Sequence, residues 1–358
     1  MSLRIIHIAP FNTSGVPMAL VKAERKLGHY SRLVTLGRDL RHYEEDICLD
    51  LPFMNSWATR LAKRIVVHPD RLSVHNNYKM PETIPPVWQP NGPAEKIGIA
   101  LREWLWKRRI EQLFESCDFW NFDIYQLDGG LEFFRNGQTI KKLKALHKKV
   151  ICCYTGSDLR TRGVLPNVDA LTDLNVTLEF DHLKLHEKIH HVFFPFDVSR
   201  YELRAEPEGA TIRIGHAPTN RAAKGSEVII SAIQELQSEF SVDLELIENL
   251  PHEEALKRKA RCHIFVDQIG MLGYGINSLE ALAMGIPTCS CLAPGFEKEY
   301  SDHPFIVIDA SNIKARLREL VRSRELRQAK GSQGRHWVQT HHDSLKVVQK
   351  IHALAGLT

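Results

Sequence analysis

Gly273-Tyr274-Gly275-Ile276-Asn277-Ser278-Leu279-Glu280-Ala281-Leu282-Ala283-Met284-Gly285-Ile286-Pro287-Thr288 is the most informative run of the 358-residue chain. Two glycines flank a tyrosine, and the apolar positions that follow recur at helical spacing as far as Gly285, a residue suited to closing a helix. A short β-rich run, Pro287–Cys291, comes next. A glycine-rich turn that opens a helix leaves N–H groups free at the positive end of the helix dipole, which suits a phosphate. Glu280, in the first part of that helix, can accept hydrogen bonds from a ribose diol. The dinucleotide-binding fingerprint competes for these residues. However, Gly273-x-Gly275-x-x-Ser278 lacks its third glycine, and the acidic residue due ~20 positions on would have to be Glu297, after a loop.

Outward from this run, segments of strand and helix period alternate. Downstream of residue 209 the pattern predicts strands at Ile212–Ile214, Leu244–Ile247, Cys262–Val266, Pro287–Cys291 and Phe305–Ile308. Between them it predicts helices at Ser226–Phe240, His252–Ala260, Ser278–Met284 and Ile313–Leu320. The chain opens in the same way. A β-rich run, Arg4–Ala9, leads through Asn12-Thr13-Ser14-Gly15 to a helical pattern over Val16–Leu27 and a second strand at Ser31–Leu36. Later strands are expected at Phe122–Gln126, Val150–Tyr154 and Val192–Phe194. This βαβ rhythm implies parallel sheets covered by helices. Proline crowds residues 66–95, which read as a long loop, and Ile97, Leu101, Trp104, Leu105 and Arg108 then mark one side of a helix reaching Cys117. The acidic, turn-prone Asp197–Gly209 reads as a linker. The expected organisation is an α/β protein of two Rossmann-like, doubly wound domains, 1–195 and 196–335, facing each other across a ligand-binding cleft, with a helical tail at 336–358.

Composition excludes several classes. Hydrophobic content of 43% and charged content of 25% are ordinary globular values, which set aside disordered and disulfide-scaffold proteins. The net charge of +4 is too small for a dedicated nucleic-acid binder. It is unevenly placed, with 27 basic against 22 acidic side chains in 1–195 and 17 against 20 in 196–330. The seven cysteines include no Cys-x-x-Cys pair and suit buried thiols in a reducing cytosol. Neither a signal peptide nor an apolar run of ~20 residues is evident, so a cytoplasmic location is expected.

On these residues the sequence resembles the retaining glycosyltransferases of the GT-B fold, group 1 (family 4). The second domain of that family carries Gly-aromatic-Gly, three variable residues, then Leu-Glu-Ala-Met-Ala-x-Gly-x-Pro; residues 273–287 follow the pattern with Leu282 at the Met position. The resemblance implies that Glu280 binds the donor ribose and that Gly273, Tyr274 and Gly275 face the donor diphosphate and sugar. The family places a further glutamate eight residues before the first; here that position is Leu272, and Asp267-Gln268 upstream either substitutes for it or simply ends a strand. A second match is Ile214-Gly215-His216-Ala217-Pro218-Thr219-Asn220-Arg221-Ala222-Ala223-Lys224-Gly225. Here the resemblance assigns Lys224-Gly225 and Arg221 to holding the diphosphate and offsetting its charge as it leaves, without a metal ion. Arg221 stands closer to the lysine than in the commonest form of the motif.

In the first half the likeness is looser. Asn12-Thr13-Ser14-Gly15 occupies the glycine loop after the first strand, so Gly15 is a donor-side candidate. Gln126 and Asp128 replace the histidines of an Asp-x-x-His-x-His segment, and Thr155 replaces the histidine of His-Gly-Ser-Asp-x-Arg at Tyr154–Arg160. Asp128 and Asp158 are candidates to orient an acceptor, or helix caps. His182, His186, His190 and His191 fall at helical spacing, either as ligands for a metal or, more simply, as a solvated helix face. Trp106 with Lys107, Arg108 and Arg109, and Trp57 with Arg60, Lys63 and Arg64, form basic-aromatic groups that suit an anionic membrane surface or a lipid-linked acceptor, or a charged solvent face over packed tryptophans. Trp104 is assigned to the apolar face of its helix.

The resemblance thus implies a cytoplasmic glycosyltransferase, with peripheral contact at the inner membrane face left open. It would move a sugar from a nucleoside-diphosphate donor to a carbohydrate or lipid-linked acceptor during cell-surface polysaccharide or glycoconjugate synthesis, using no metal and no other cofactor. Two alternatives stay open: a catalytically degenerate relative that binds a nucleotide sugar, and a nucleotide-sugar epimerase.

Overall fold

The computed structural model describes residues 2–39, 41–54, 83–270 and 273–357. Trp57, Arg60, Lys63, Arg64, most of the proline-rich stretch and Leu272 lie outside the described residues. The chain forms two compact units that divide at Pro195/Phe196 and again at Asp343/Ser344, so the last helix, Ser344–Leu354, belongs with the first unit.

The first unit is built on seven strands, β1 (Arg4–Ala9), β2 (Tyr30–Thr35), β3 (Ile47–Cys48), β4 (Ile124–Asp128), β5 (Lys149–Tyr154), β6 (Leu174–Thr177) and β7 (Ile189–His191). They pair in parallel in the order β3-β2-β1-β4-β5-β6-β7. The second unit has five, β8 (Ile212–His216), β9 (Val242–Leu246), β10 (Ile264–Val266), β11 (Thr288–Ser290) and β12 (Ile306–Val307), in the order β12-β11-β10-β8-β9 and again parallel. Strands in the middle of such sheets are covered on both faces, which is why all of β4 and β10 is buried. In each sheet the order reverses once, between β1 and β4 and between β8 and β10. Ligands of doubly wound sheets bind beyond the carboxyl ends of the strands that flank such a reversal.

Three expectations are corrected. The first concerns the long helix, which spans Pro93–Ser116 and buries Trp106, Ile110 and Leu113. Ile97, Leu101 and Trp104, the expected inward face, are 69%, 58% and 69% exposed. Apolar residues line two sides of this helix, so periodicity alone could not choose between them. The Trp106 side wins because its indole N–H reaches the Pro52 carbonyl at 2.9 Å and the Arg102 guanidinium lies over its ring.

Second, the histidines of 182–191 do not share a helix. A 3₁₀ turn, Phe180–Lys184, is followed by β7, which also displaces the strand expected at Val192–Phe194. His182 is buried against the Thr177 hydroxyl at 2.7 Å, and His186 meets Asp169 at 3.0 Å. Neither a common metal site nor a solvated helical face results. Third, the linker expected at Asp197–Gly209 belongs structurally to the second unit, where Phe196 and Tyr201 stack at 4.9 Å and Arg204 donates to the Cys262 carbonyl at 2.5 Å.

The last helix packs on the helix Val16–Lys26, burying Val347, Val348 and Ile351. Replacing Trp106 by Ala should cost ~3–5 kcal/mol through the cavity left behind. Trp104→Ala should stay within ~0.5 kcal/mol, as for an exposed side chain. Urea unfolding of both variants checks this; equal losses would overturn the assignment of faces.

Candidate functional site

The second unit gathers its chemistry where β8 and β10 part. After β8 the chain makes a one-turn helix, Arg221–Lys224, capped by the Asn220 side chain, which accepts from the Ala223 N–H at 3.2 Å. Gly225 is left-handed and passes the chain into the helix Ser226–Gln237. After β10 comes Asp267, a fully buried carboxylate at the mouth of the helix Ile276–Ala283. Asp267 forms an ion pair with Lys224 and accepts from the Ser278 hydroxyl at 2.7 Å and the Gly275 N–H at 3.1 Å. The loop between is drawn tightly onto Lys224. The Ile269 N–H donates to the Lys224 carbonyl at 3.1 Å, and at Gly270 any side chain would collide with the Ala223 carbonyl.

The electrostatics follow from this geometry. Burial alone would raise the Asp267 pKa, but the Lys224 ammonium and the two other donors hold it below the usual carboxylate value. Asp267 therefore stays ionised and occupies the anion position at the helix start, where the sequence leads one to expect free N–H groups. Lys224, itself buried, is held against Asp267 at the start of that helix.

Glu280 lies one turn further in and is buried. One oxygen meets Lys259 at 2.5 Å and the other His252 at 2.7 Å. Burial raises its pKa, yet Lys259 and His252 bring the net shift below the ordinary value. Lys259, 1% exposed, also donates to the Asn277 side chain at 2.9 Å and lies over the Phe265 ring. Gln268 donates to the Gly273 carbonyl. The Tyr274 ring is core, stacked on Phe305 at 4.6 Å, with its hydroxyl 3.1 Å from His342.

The structure thus brings Lys224, Gly225, Asp267, Gly275 and Ser278 together, with Gln268 and Gly273 joined on the same loop and Glu280 within the same helix. Arg221 is turned elsewhere, with its fork on Glu248 at 2.8 and 2.6 Å and half exposed. Sequence reasoning passed over Lys259 and His252 because they sit in a charged helical pattern, His252–Ala260, that reads as solvated. It also passed over His216, whose ring links Ser226 at 2.8 Å to the Val266 carbonyl at 2.9 Å, although that histidine stands inside the quoted run.

In the first unit, Gly15 is left-handed and opens the helix Val16–Lys26 against the Tyr43 ring. Asp158 spends its carboxylate on its own loop, accepting from the N–H groups of Thr155 at 2.8 Å, Gly156 at 3.0 Å and Leu159 at 2.8 Å. Asp128, at the end of β4, is buried 3.3 Å from His7, whose other nitrogen lies 3.0 Å from Glu24. Burial opposes the charge on His7, but the two carboxylates overcome it and push its pKa up to about 10. Glu24, likewise resisted by burial, is brought down to about 2 by His7, His352 and Ser31. Among the described residues no group of three or more His, Cys, Asp or Glu side chains is placed to hold a metal ion.

No protein-family profile and no curated protein matches this sequence. Solved structures do. Sucrose-phosphate synthase from Thermosynechococcus elongatus superposes with a TM-score of 0.63 at 12% identity, over 98% of each chain. The catalytic domain of starch synthase IV from Arabidopsis thaliana, bound to ADP and acarbose, gives 0.62 at 10% identity over 99% of each chain. WaaG, a glycosyltransferase involved in lipopolysaccharide biosynthesis, gives 0.54 at 11% identity over 99% of each. The fold is therefore the GT-B fold, with two Rossmann-like α/β units.

Two stability measurements address these clusters. Lys224→Met strands Asp267 as a buried unpaired charge and should cost about 3–5 kcal/mol at pH 7. The loss should shrink at lower pH, because the isolated carboxyl then takes up a proton; a pH-independent loss would contradict the ion pair. For His7 the folded pKa lies above the free value of 6.5, so its contribution is complete below pH 6.5 and disappears as pH rises toward about 10. Glu24 works in the opposite sense, contributing fully above 4.5 and losing its share as pH falls toward about 2. Urea midpoints against pH should show the alkaline decline in the wild type and a weaker one in His7→Gln.

Proposed function

We propose that the chain is a glycosyltransferase that moves a sugar, with retention, from a nucleoside-diphosphate sugar to a carbohydrate or lipid-linked acceptor. The observation that carries this reading is the Lys224 ammonium, held by Asp267 at the start of the helix Ile276–Ala283, beside the reversal point of the second sheet. A nucleotide leaving group needs a fixed positive charge at that kind of place. The bond from the anomeric carbon to the diphosphate breaks, and a bond from that carbon to the acceptor oxygen forms on the same face. The acceptor's proton passes to a departing phosphate oxygen. Negative charge grows on the diphosphate throughout, and Lys224, oriented in advance by Asp267, would share its remaining N–H donors with it.

Glu280 supports the same reading. An ionised carboxylate, fixed by Lys259 and His252, retains lone pairs for the two hydroxyls of a ribose. The backbone around Gly273–Gly275 would then approach the diphosphate, while Tyr274 anchors that turn from below through its aromatic neighbours. The shared fold with sucrose-phosphate synthase, starch synthase IV and WaaG is consistent with this chemistry.

A panel of UDP, GDP, ADP and their sugars tests the proposal by thermal shift. Binding to the folded state alone adds about 2.7 kcal/mol of apparent stability at a hundredfold excess over Kd. One base should stand out, and Glu280→Gln, which keeps an acceptor for Lys259, should lose that shift. If no nucleotide moves the transition, the donor site is not where we place it. With the selected donor and a mixed acceptor pool, Lys224→Gln should lower transfer by roughly 10²–10³-fold. Donor binding without any turnover in the wild type would favour a nucleotide-sugar-binding protein instead.

A further inference from the structure

The second unit holds a cavity of about 610 Å³ that the donor reading does not use. It lies between the segment 203–208 and the helix Arg324–His341, with Gly285 and Pro287 in its wall. Its volume falls within the roughly 300–1,000 Å³ range of small-molecule sites. Its lining is strongly cationic. Four guanidinium groups, Arg204, Arg324, Arg327 and Arg335, face two carboxylates, Glu206 and Glu208. The unit as a whole, 196–343, runs the other way, with 18 basic against 21 acidic side chains.

Glu206 is already committed. It binds Arg327 at 2.5 Å, and Arg327, 6% exposed, also donates to the Leu320 and Val321 carbonyls. Arg204 and Arg335 are fixed by main-chain oxygens, those of Cys262 and Ala205 for the first and Tyr201 and Ala283 for the second. Carbonyl partners orient a guanidinium without cancelling its charge. Arg324 is the loose member, with a side chain 59% exposed that reaches Glu206 only at 3.8 Å. Gln328, Ser332 and His336 follow Arg324 at four-residue steps on the same helix face and line the same cavity. The side chains of Gln328 and Ser332 make no hydrogen bond among the described residues.

We propose that this cavity is a second ligand site, separate from the Lys224–Asp267 cluster, and that it binds a small phosphate-bearing molecule. An exposed guanidinium fork, backed by guanidiniums fixed on main-chain oxygens and flanked by the side chains of Gln328, Ser332 and His336, matches the planar, multidentate recognition of phosphate. The two sites share one element, since the helix Ile276–Ala283 carries Asp267's partners at its start and has its last carbonyl, Ala283, held by Arg335 at the cavity.

Glucose 6-phosphate and inorganic phosphate, titrated against the whole chain at ionic strength matched with KCl, serve as probes. The site requires a saturable rise in melting temperature that Arg324→Gln and His336→Gln each reduce at least fivefold in apparent affinity. Both residues are exposed, so neither change threatens folding. A stronger response to glucose 6-phosphate assigns the natural ligand to organic phosphates, and an equal response assigns it to phosphate itself; both support the site. Glu280→Gln must leave the response intact, which keeps this result independent of the nucleotide panel. No saturable rise beyond the KCl control overturns the proposal. So does a rise that survives both cavity variants but is lost in Lys224→Gln, which would place the phosphate at the other cluster.

Discussion

One buried carboxylate, that of Asp267, sets the geometry of the second unit. A charge with no exposed surface is costly unless donors replace its water. Asp267 finds three, on two different pieces of chain: Lys224 after β8, and Gly275 and Ser278 at the start of the helix Ile276–Ala283. Because each piece ends on the same two oxygens, neither can shift without stranding the charge. The loop from Asp267 to Gly270 is clamped from outside as well, by the Ile269–Lys224 main-chain bond and by the close approach at Gly270. For the donor diphosphate proposed above, a lysine free in solvent would be a poor partner, since it would first have to be ordered. Here folding has already met that ordering cost.

The first unit solves the corresponding problem with different residues. His7 on β1 sits between Asp128 at the end of β4 and Glu24 on the helix Val16–Lys26, and Glu24 also meets Ser31 on β2 and His352 on the last helix. Five elements are tied through one imidazole and its carboxylates, again around the strands where the sheet order reverses. Removing a single partner from such a cluster leaves the others uncompensated, so its members are held by one another rather than by solvent. Asp128 fills both its oxygens in this way, one with His7 and one with Gln126 at 2.8 Å.

How much of this the sequence reveals depends on the range of the interaction. Local rules succeed where local forces decide. The helix after Gly275, the strand β1, the helix His252–Ala260 and the turn at Asn220 follow from period, capping and glycine placement. They fail where two faces compete or where a partner is distant. Trp104 and Trp106 lie two positions apart on a helix with two apolar sides, and the contact that favours Trp106 includes the Pro52 carbonyl, 54 residues earlier. Lys259 looks solvated within a run of charges, yet it is buried because Glu280, 21 residues later, requires it. The pairing of Lys224 with Asp267 spans 43 residues and could not be read from either motif alone.

Much of the run 273–288 now has a physical reason. Gly275 must bring its N–H to Asp267, and Ser278 its hydroxyl. Glu280 must reach Lys259, and Tyr274 must fill an aromatic cluster with Phe305 and Trp337. Leu279, Ala281, Leu282 and Ala283 are fully buried, so the helix has no solvent face to spare. Its far end needs small residues for another reason. The helix Arg324–His341 crosses so closely that a side chain at Gly331 would strike the Gly285 carbonyl, and one at Gly334 would strike Leu282. That crossing lets Arg335 reach the Ala283 carbonyl and answer the negative end of the helix dipole. The helix is therefore fixed at both ends by charge, an aspartate at its start and an arginine at its close. Its eight residues make it a stiff strut of about 12 Å. Any group that competes for Arg335 at one end acts on a body whose other end carries Gly275 and Ser278. The spacing of this sequence run thus ties the cation cluster at β8 and β10 to the arginine-lined cavity through a single rigid element.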